Sequence, residues 1–373
     1  MKFEKKVIVF TLLLFSLSFY SEGQSLFNKY KQFLTIPKGY VCYRTQDSVY
    51  IDGLITEKSW ENAPETDSFV DISGYNFPKP RFNTKVKMLW DDNYLYVFAE
   101  MEEPDVWANI KTRDAVVFYD NDFEVFIDPV GDGHNYFEIE TNALGCVFDL
   151  ELEKPYRSPL NSFIQFQWNC PGLKIATHCN GKINDHDVED KSWTVEMAIP
   201  RKSIASSFTN FLKANNYLRI DFSRVEWQFD VDKNGHYDRK KDSSGKYLKE
   251  DNWVWTPTGR IAMHMPERWG FVYLSPSVSG KSKEDFKYPD YHVFQRFLWM
   301  LFYAQSDHFE KYKCYYKDIS DFKLDKQDWK MLPAGCRVLV ESTSNTYEIT
   351  LFTKNGDQWV IDESGRCFKR KKN

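Results

Sequence analysis

From about residue 40 to 275, apolar and polar positions alternate in short runs punctuated by turn residues, the pattern of half-buried strands in an all-β sandwich. In the clearest hairpin Val86, Met88 and Trp90 alternate with Lys85, Lys87 and Leu89. The chain turns at Asp91-Asp92-Asn93 and returns over Tyr94–Met101. Phe123, Val125 and Ile127 mark the next strand, which Asp128-Pro129 ends, and further strands are expected over 135–143, 193–200 and 218–227. Past a charged, turn-rich linker at 276–290 the period changes. Phe294, Leu298, Leu301, Phe302 and Phe309 fall at helical spacings, which predicts a helix over 291–316. Three short antiparallel strands are expected after it, at 337–340, 347–352 and 358–361, with Asn355-Gly356 as a hairpin turn. The fold class is therefore mainly β: an antiparallel β-sandwich over 40–275, then a small α+β C-terminal module over 291–373 with no function assigned.

The first residues change the picture of compartment. Lys2, Lys5 and Lys6 precede an apolar run from Val7 to Tyr20, and Ser21-Glu22-Gly23 supplies small residues at a cleavage position. This is the pattern of a signal peptide over 1–24, and the run is shorter than the ~20 residues of a spanning helix. A secreted or periplasmic protein with no membrane span after cleavage is expected. Seven cysteines in that context permit disulfides, with Cys170 and Cys179 flanking a Pro171-Gly172 turn. The formal charge of −5, with no basic block before the closing lysines and arginine, argues against nucleic acid as a partner. Aromatic residues make up 17% of the chain, including 12 tryptophans, which suits stacking on sugar rings as well as a large core.

Several phrases occur together in order. They are Ile51-Asp52-Gly53 with Trp60, Thr84 to Asp92, Tyr94-Leu95-Tyr96, Asp122 to Asp128, Trp193 to Glu196 ending in Ile199-Pro200, Trp255, and Pro266 to Phe271. The ordered set resembles a family 9 carbohydrate-binding module, within the broader DOMON-like sandwiches, over roughly 40–275. The resemblance implies a jelly-roll-like sandwich, no catalysis of its own, saccharides or glycan chain ends as partners, and calcium in a structural role. It also implies two flanking aromatic platforms, which by spacing from Glu124 and Gly270 fall at Phe118 or Tyr119 and at Met263 beside His264, with Glu124 itself expected to bind the ligand together with Glu138, Glu140 and Asn142. An Arg and an Asn of the family correspond to Glu138 and Glu140 here.

Tyr136, Glu138, Glu140 and Asn142 sit at alternate positions, so one strand places them on one face. That face reads either as a set of hydrogen-bond acceptors for hydroxyls or as an ordinary solvated sheet face. Asp230, Asp232, Asn234 and Asp238 begin like a calcium loop, but position twelve is Lys241 rather than Glu. The competing reading is a polar hairpin tip on Asn234-Gly235. Met263-His264-Met265 offers soft ligands for a haem-binding electron-transfer domain, the alternative function. A glycoside hydrolase stands third, since Glu138 and Glu140 are at carboxylate-pair distance but approach from one side.

Overall fold

The computed structural model describes residues 25–158, 163–205 and 212–371; the expected signal segment lies outside them. Among the described residues fifteen strands precede residue 280. They are β1 Gly39–Arg44, β2 Val70–Asp71, β3 Thr84–Trp90, β4 Tyr94–Glu102, β5 Asp122–Asp128, β6 Tyr136–Asn142, β7 Val147–Leu152 and β8 Ile164–Gln165. After these come β9 Lys174–Cys179, β10 Ser192–Pro200, β11 Tyr217–Glu226, β12 Phe229–Val231, β13 Tyr237–Arg239, β14 Asp251–Val254 and β15 Gly270–Val278. Every strand that alternation predicts is present, within two residues at its ends.

The large sheet runs in the order β8-β7-β6-β5-β11-β15-β1-β3-β4-β10-β9 and folds back on itself as a sandwich. Val86, Met88, Val97 and Ala99 from one half pack with Val125, Ile127, Ile139, Ile220 and Phe222 from the other. β1 is the departure from the antiparallel expectation, since it pairs in parallel with both β15 and β3. It carries the hydrogen-bond ladder from one half to the other, so the two halves are joined through it.

The outer faces are also covered. Outside β3, β4 and β10, Trp60 packs on Phe98 and donates its indole N–H to Glu196 (2.8 Å). Outside β5, β6 and β7, Phe126, Tyr136, Leu150 and Trp269 form a further apolar cluster. The cleft lies over that second outer face.

The helix α1, His292–Tyr312, stops four residues before the expected end because Lys313 takes a left-handed conformation (φ 58°). It packs on a four-stranded sheet of β16 Arg337–Ser342, β17 Tyr347–Phe352, β18 Gln358–Asp362 and β19 Cys367–Lys369. The last strand is not expected from the sequence, being three residues set among Arg366, Lys369 and Arg370. Tyr30 and Leu34 from the opposite end of the chain and Met265 from the sandwich share the core of this module. All seven cysteines are free thiols: Cys170 lies in the sandwich core and is not joined to Cys179.

Candidate functional site

Strand pairing decides what the cleft floor contains. Glu124 on β5 stands directly opposite Glu140 on β6, Phe126 opposite Glu138, and Asp122 opposite Asn142. On the far side of β6, Glu140 faces Phe148 and Glu138 faces Leu150 of β7. Three strands therefore offer one face on which carboxylates alternate with apolar side chains. This face is not the solvated surface that alternation allows. The 3-10 turn Val117–Tyr119, the 261–264 segment and Tyr156 close over its margins, leaving an open cleft of about 390 Å³.

The cleft brings together six of the eight expected ligand residues: Phe118, Glu124, Glu138, Glu140, Met263 and His264. Phe118 is half-buried, and its edge meets Trp227, whose indole N–H donates to the Phe118 carbonyl (2.8 Å). His264 shares a hydrogen bond between Nδ1 and Tyr136 Oη (2.8 Å), and its ring meets Tyr156 edge-on at 4.3 Å. Burial, then the charge of Arg157, lowers the His264 pKa to about 3, so the ring is neutral.

Two expected residues fall outside. Tyr119 turns away and lies half-exposed under the Arg239 guanidinium (4.5 Å). In a 3-10 turn neighbouring side chains diverge, so only one of the pair can face the cleft. Asn142 is on the correct face but is fully buried and already committed. Its Nδ2 donates to the Ile110 carbonyl and to Asp120 (both 2.8 Å), while its Oδ1 accepts from the Leu144 and Cys146 amides (both 3.1 Å). It organises loops and has no donor or acceptor left for a ligand.

The carboxylates are held in an unusual state. Glu138 and Glu140 are 4% and 5% exposed. Burial pushes Glu124 up to about 7, and burial with the nearby Glu124 charge pushes Glu138 up to about 8. The same causes raise Glu140 well above the ordinary carboxylate range, and burial raises Asp122 likewise. Among the described residues no Lys or Arg lines the cleft to offset them.

Two wall residues have no signal in the sequence. Tyr156 and Phe166 are 50% and 56% exposed rings at the rim. Both stand in a stretch with little alternation, where only β8 forms, so periodicity does not single them out. The tryptophans, which look like better platforms, are elsewhere: Trp107 and Trp227 are buried, and Trp168 packs on Phe137.

The other metal and cofactor expectations are corrected by geometry. Asp230, Asp232, Asn234 and Asp238 form the β12–β13 hairpin and its tip, where Asp232 Oδ1 accepts from the Asn234 and His236 amides (2.8 and 2.9 Å). Asp230 pairs with Lys240 and Asp238 with Lys241, so the donors do not converge and do not fit calcium. Among the described residues the one acidic group able to hold an ion is Asp122, Glu124 and Glu140. The haem ligand set also disperses, because Met265 packs into the α1 cluster while Met263 and His264 face the cleft.

The family model for the carbohydrate family 9 binding domain-like proteins matches residues 51–275. Among solved structures, a Bacteroides uniformis protein proposed to bind carbohydrate is 14% identical, with a TM-score of 0.47. The match covers 64% of this chain and all of that one. A family 9 carbohydrate-binding module from Caldicellulosiruptor kristjanssonii in complex with cellotriose is 17% identical, with a TM-score of 0.41. Here 67% of this chain and all of that one are covered. The module in complex with glucose, from the same organism, is 17% identical with a TM-score of 0.39, over 68% of this chain and all of that one. No curated protein matches the sequence.

Proposed function

Since the chain belongs to the carbohydrate family 9 binding domain-like family, we propose that it captures saccharides or glycan chain ends in this cleft without cleaving them. The observation that carries the reading is the pairing of aromatic rim and acidic floor. Pyranose rings present apolar C–H faces and polar hydroxyl edges. Phe118, Tyr156 and Phe166 suit the first, and the carboxyl groups of Glu124, Glu138 and Glu140, which can donate as well as accept when protonated, suit the second. Against hydrolysis, a cleaving pair must flank the scissile bond. Here Glu138 and Glu140 are neighbours on β6 and Glu124 faces them across one ladder, so all three approach from the floor.

The test is a glycan array followed by calorimetric titration, with glucose and cellotriose among the probes. Tyr156→Ala and Phe166→Ala should each weaken binding by about five- to tenfold, on the order of 1 kcal/mol of apolar contact. Wild-type affinity in both variants would place the sugar elsewhere, and release of reducing sugar would overturn the non-catalytic reading. The leader-like pattern of Lys2 to Gly23 supports export. Intact-mass measurement of the exported protein should find an amino terminus within a few residues of Gln24, and retention of residues 1–20 would overturn that.

A further inference from the structure

The floor of the cleft sets acidic groups against one another, and among the described residues no Lys or Arg lines it. Glu124 and Glu140 are direct cross-strand partners, an arrangement that destabilises a sheet unless something offsets it. Asp122 and Glu138 lie one pleat away on the same face. The carboxylates of Asp122, Glu124 and Glu140 each bring one oxygen within 4.8 Å of the other two. That is the span of two opposite bonds of about 2.4 Å around a calcium ion.

A second observation is independent of that convergence. Glu138, outside the triad, lines the cleft at 4% exposure, and among the described residues its Oε2 finds no N–H or hydroxyl donor. The closest imidazole nitrogen, Nε2 of His264, stands 3.9 Å away. Among the described residues Asp122 Oδ2 and Glu140 Oε2 likewise find no N–H or hydroxyl donor, at 0% and 5% exposure. Buried polar atoms normally have partners, and each exception asks for a ligand, an ion or a cost.

We propose that Asp122, Glu124 and Glu140 bind one calcium ion at the floor of the cleft, with Glu138 as a fourth ligand, and that saccharide hydroxyls complete its shell. The donors are all oxygen, which selects a hard cation over zinc or copper. Calcium accepts six to eight oxygens in flexible geometry, whereas magnesium demands near-ideal octahedra and gives up water reluctantly. Calcium can thus hold the carboxylates and still take hydroxyls. The ion site stands on the carboxylates alone, and only the hydroxyl contact rests on the cleft being the saccharide site.

The experiment uses the full chain stripped with a chelator and dialysed. Titration with calcium chloride should show one site per chain and a rise in Tm, with magnesium chloride binding at least tenfold more weakly. Glu140→Gln, neutral and nearly isosteric, should weaken calcium at least tenfold while circular dichroism stays that of the wild type. Glu138→Gln serves as the second variant should the first fail to fold. A glycan that binds the calcium-loaded protein should be released by chelator and recaptured on adding calcium back. No calcium binding by the stripped wild type, or undiminished binding in both variants, overturns the ion site. Saccharide binding indifferent to chelator overturns the hydroxyl contact and leaves saccharide capture standing. Calcium bound with no glycan recognised leaves the ion site standing and sinks the saccharide reading.

Discussion

Asn142 and Glu140 sit two residues apart on the same face of β6, yet their side chains have opposite fates. Asn142 answers to four neighbours inside the protein, and Glu140 keeps an oxygen with none. Asn142→Ala should therefore destabilise, by roughly 1–3 kcal/mol for each buried group left unpaired. Urea denaturation measures this, and a change below about 0.5 kcal/mol would show that water replaces the side chain. A second residue-scale expectation concerns pH. Burial first, then the neighbouring Glu226 charge, holds the Glu103 carboxyl up to about 9, even with Arg224 Nη2 2.8 Å away. The folded protein then keeps a proton that the unfolded chain releases near 4.5, the ordinary value. Between those values the folded state binds more protons, so stability falls as pH rises from about 4.5 to about 9. Glu103→Gln, which fixes the neutral form, should make the Tm profile less steep over that window, the raised cleft carboxyls keeping the remainder of the slope; an unchanged slope would mean that Glu103 does not contribute to it.

At the scale of elements, one side chain can decide where a whole segment lies. Glu196 on β10 accepts from the Asp52 and Gly53 amides (2.9 and 3.1 Å) and from the Trp60 indole (2.8 Å). It thereby pins the irregular 49–60 segment over the outer face of its half of the sandwich. Glu196→Ala orphans all three donors and should cost about 3 kcal/mol or more, since each buried donor without an acceptor costs ~1–3 kcal/mol. Chemical denaturation decides, and a loss below about 1 kcal/mol would mean that the segment is held by Trp60 packing alone. The β12–β13 hairpin teaches the converse. Its Asp-rich spelling suggests an ion, but the Asp232 carboxylate is consumed by the amides of its own turn, a common use of Asp at such positions.

For the molecule as a whole, the C-terminal module and the sandwich share polar and apolar contacts. The Asp132 carbonyl accepts from the Cys367 amide (2.8 Å), and its carboxylate pairs with Arg366 (2.9 Å). Tyr303 Oη donates to Glu267 (2.7 Å), which also pairs with Arg157 (2.7 Å). Tyr30 and Leu34 lie in the core of the module, and Asp328 of the module accepts from the amides of Leu26 and Phe27 (3.3 and 2.8 Å). We expect the full chain to unfold in a single calorimetric transition, because melting the module would expose these buried groups of the sandwich. Two resolved transitions would show that residues 291–373 fold independently of it.

Much was legible in the sequence, for a local reason. Alternation of apolar and polar side chains is a property of consecutive residues. It located β3, β4, β5, β6, β10 and β11, and the change to helical spacing located α1. The acidic character of the floor was equally readable, because Glu138 and Glu140 must share a face at an interval of two. What lies across from that face is not a local property. Only the pairing of β5 with β6 sets Glu124 against Glu140 and brings Asp122 into range. Only the segments crossing above turn a nominally outer face into a buried one, remove Tyr119 and Asn142 from the site, and raise Tyr156 and Phe166 at its rim. Burial and opposition depend on contacts between residues far apart in the chain. The sequence by itself therefore determined which residues could form the floor and that it is acidic, and the tertiary structure decided that it is buried and, among the described residues, lined by no Lys or Arg.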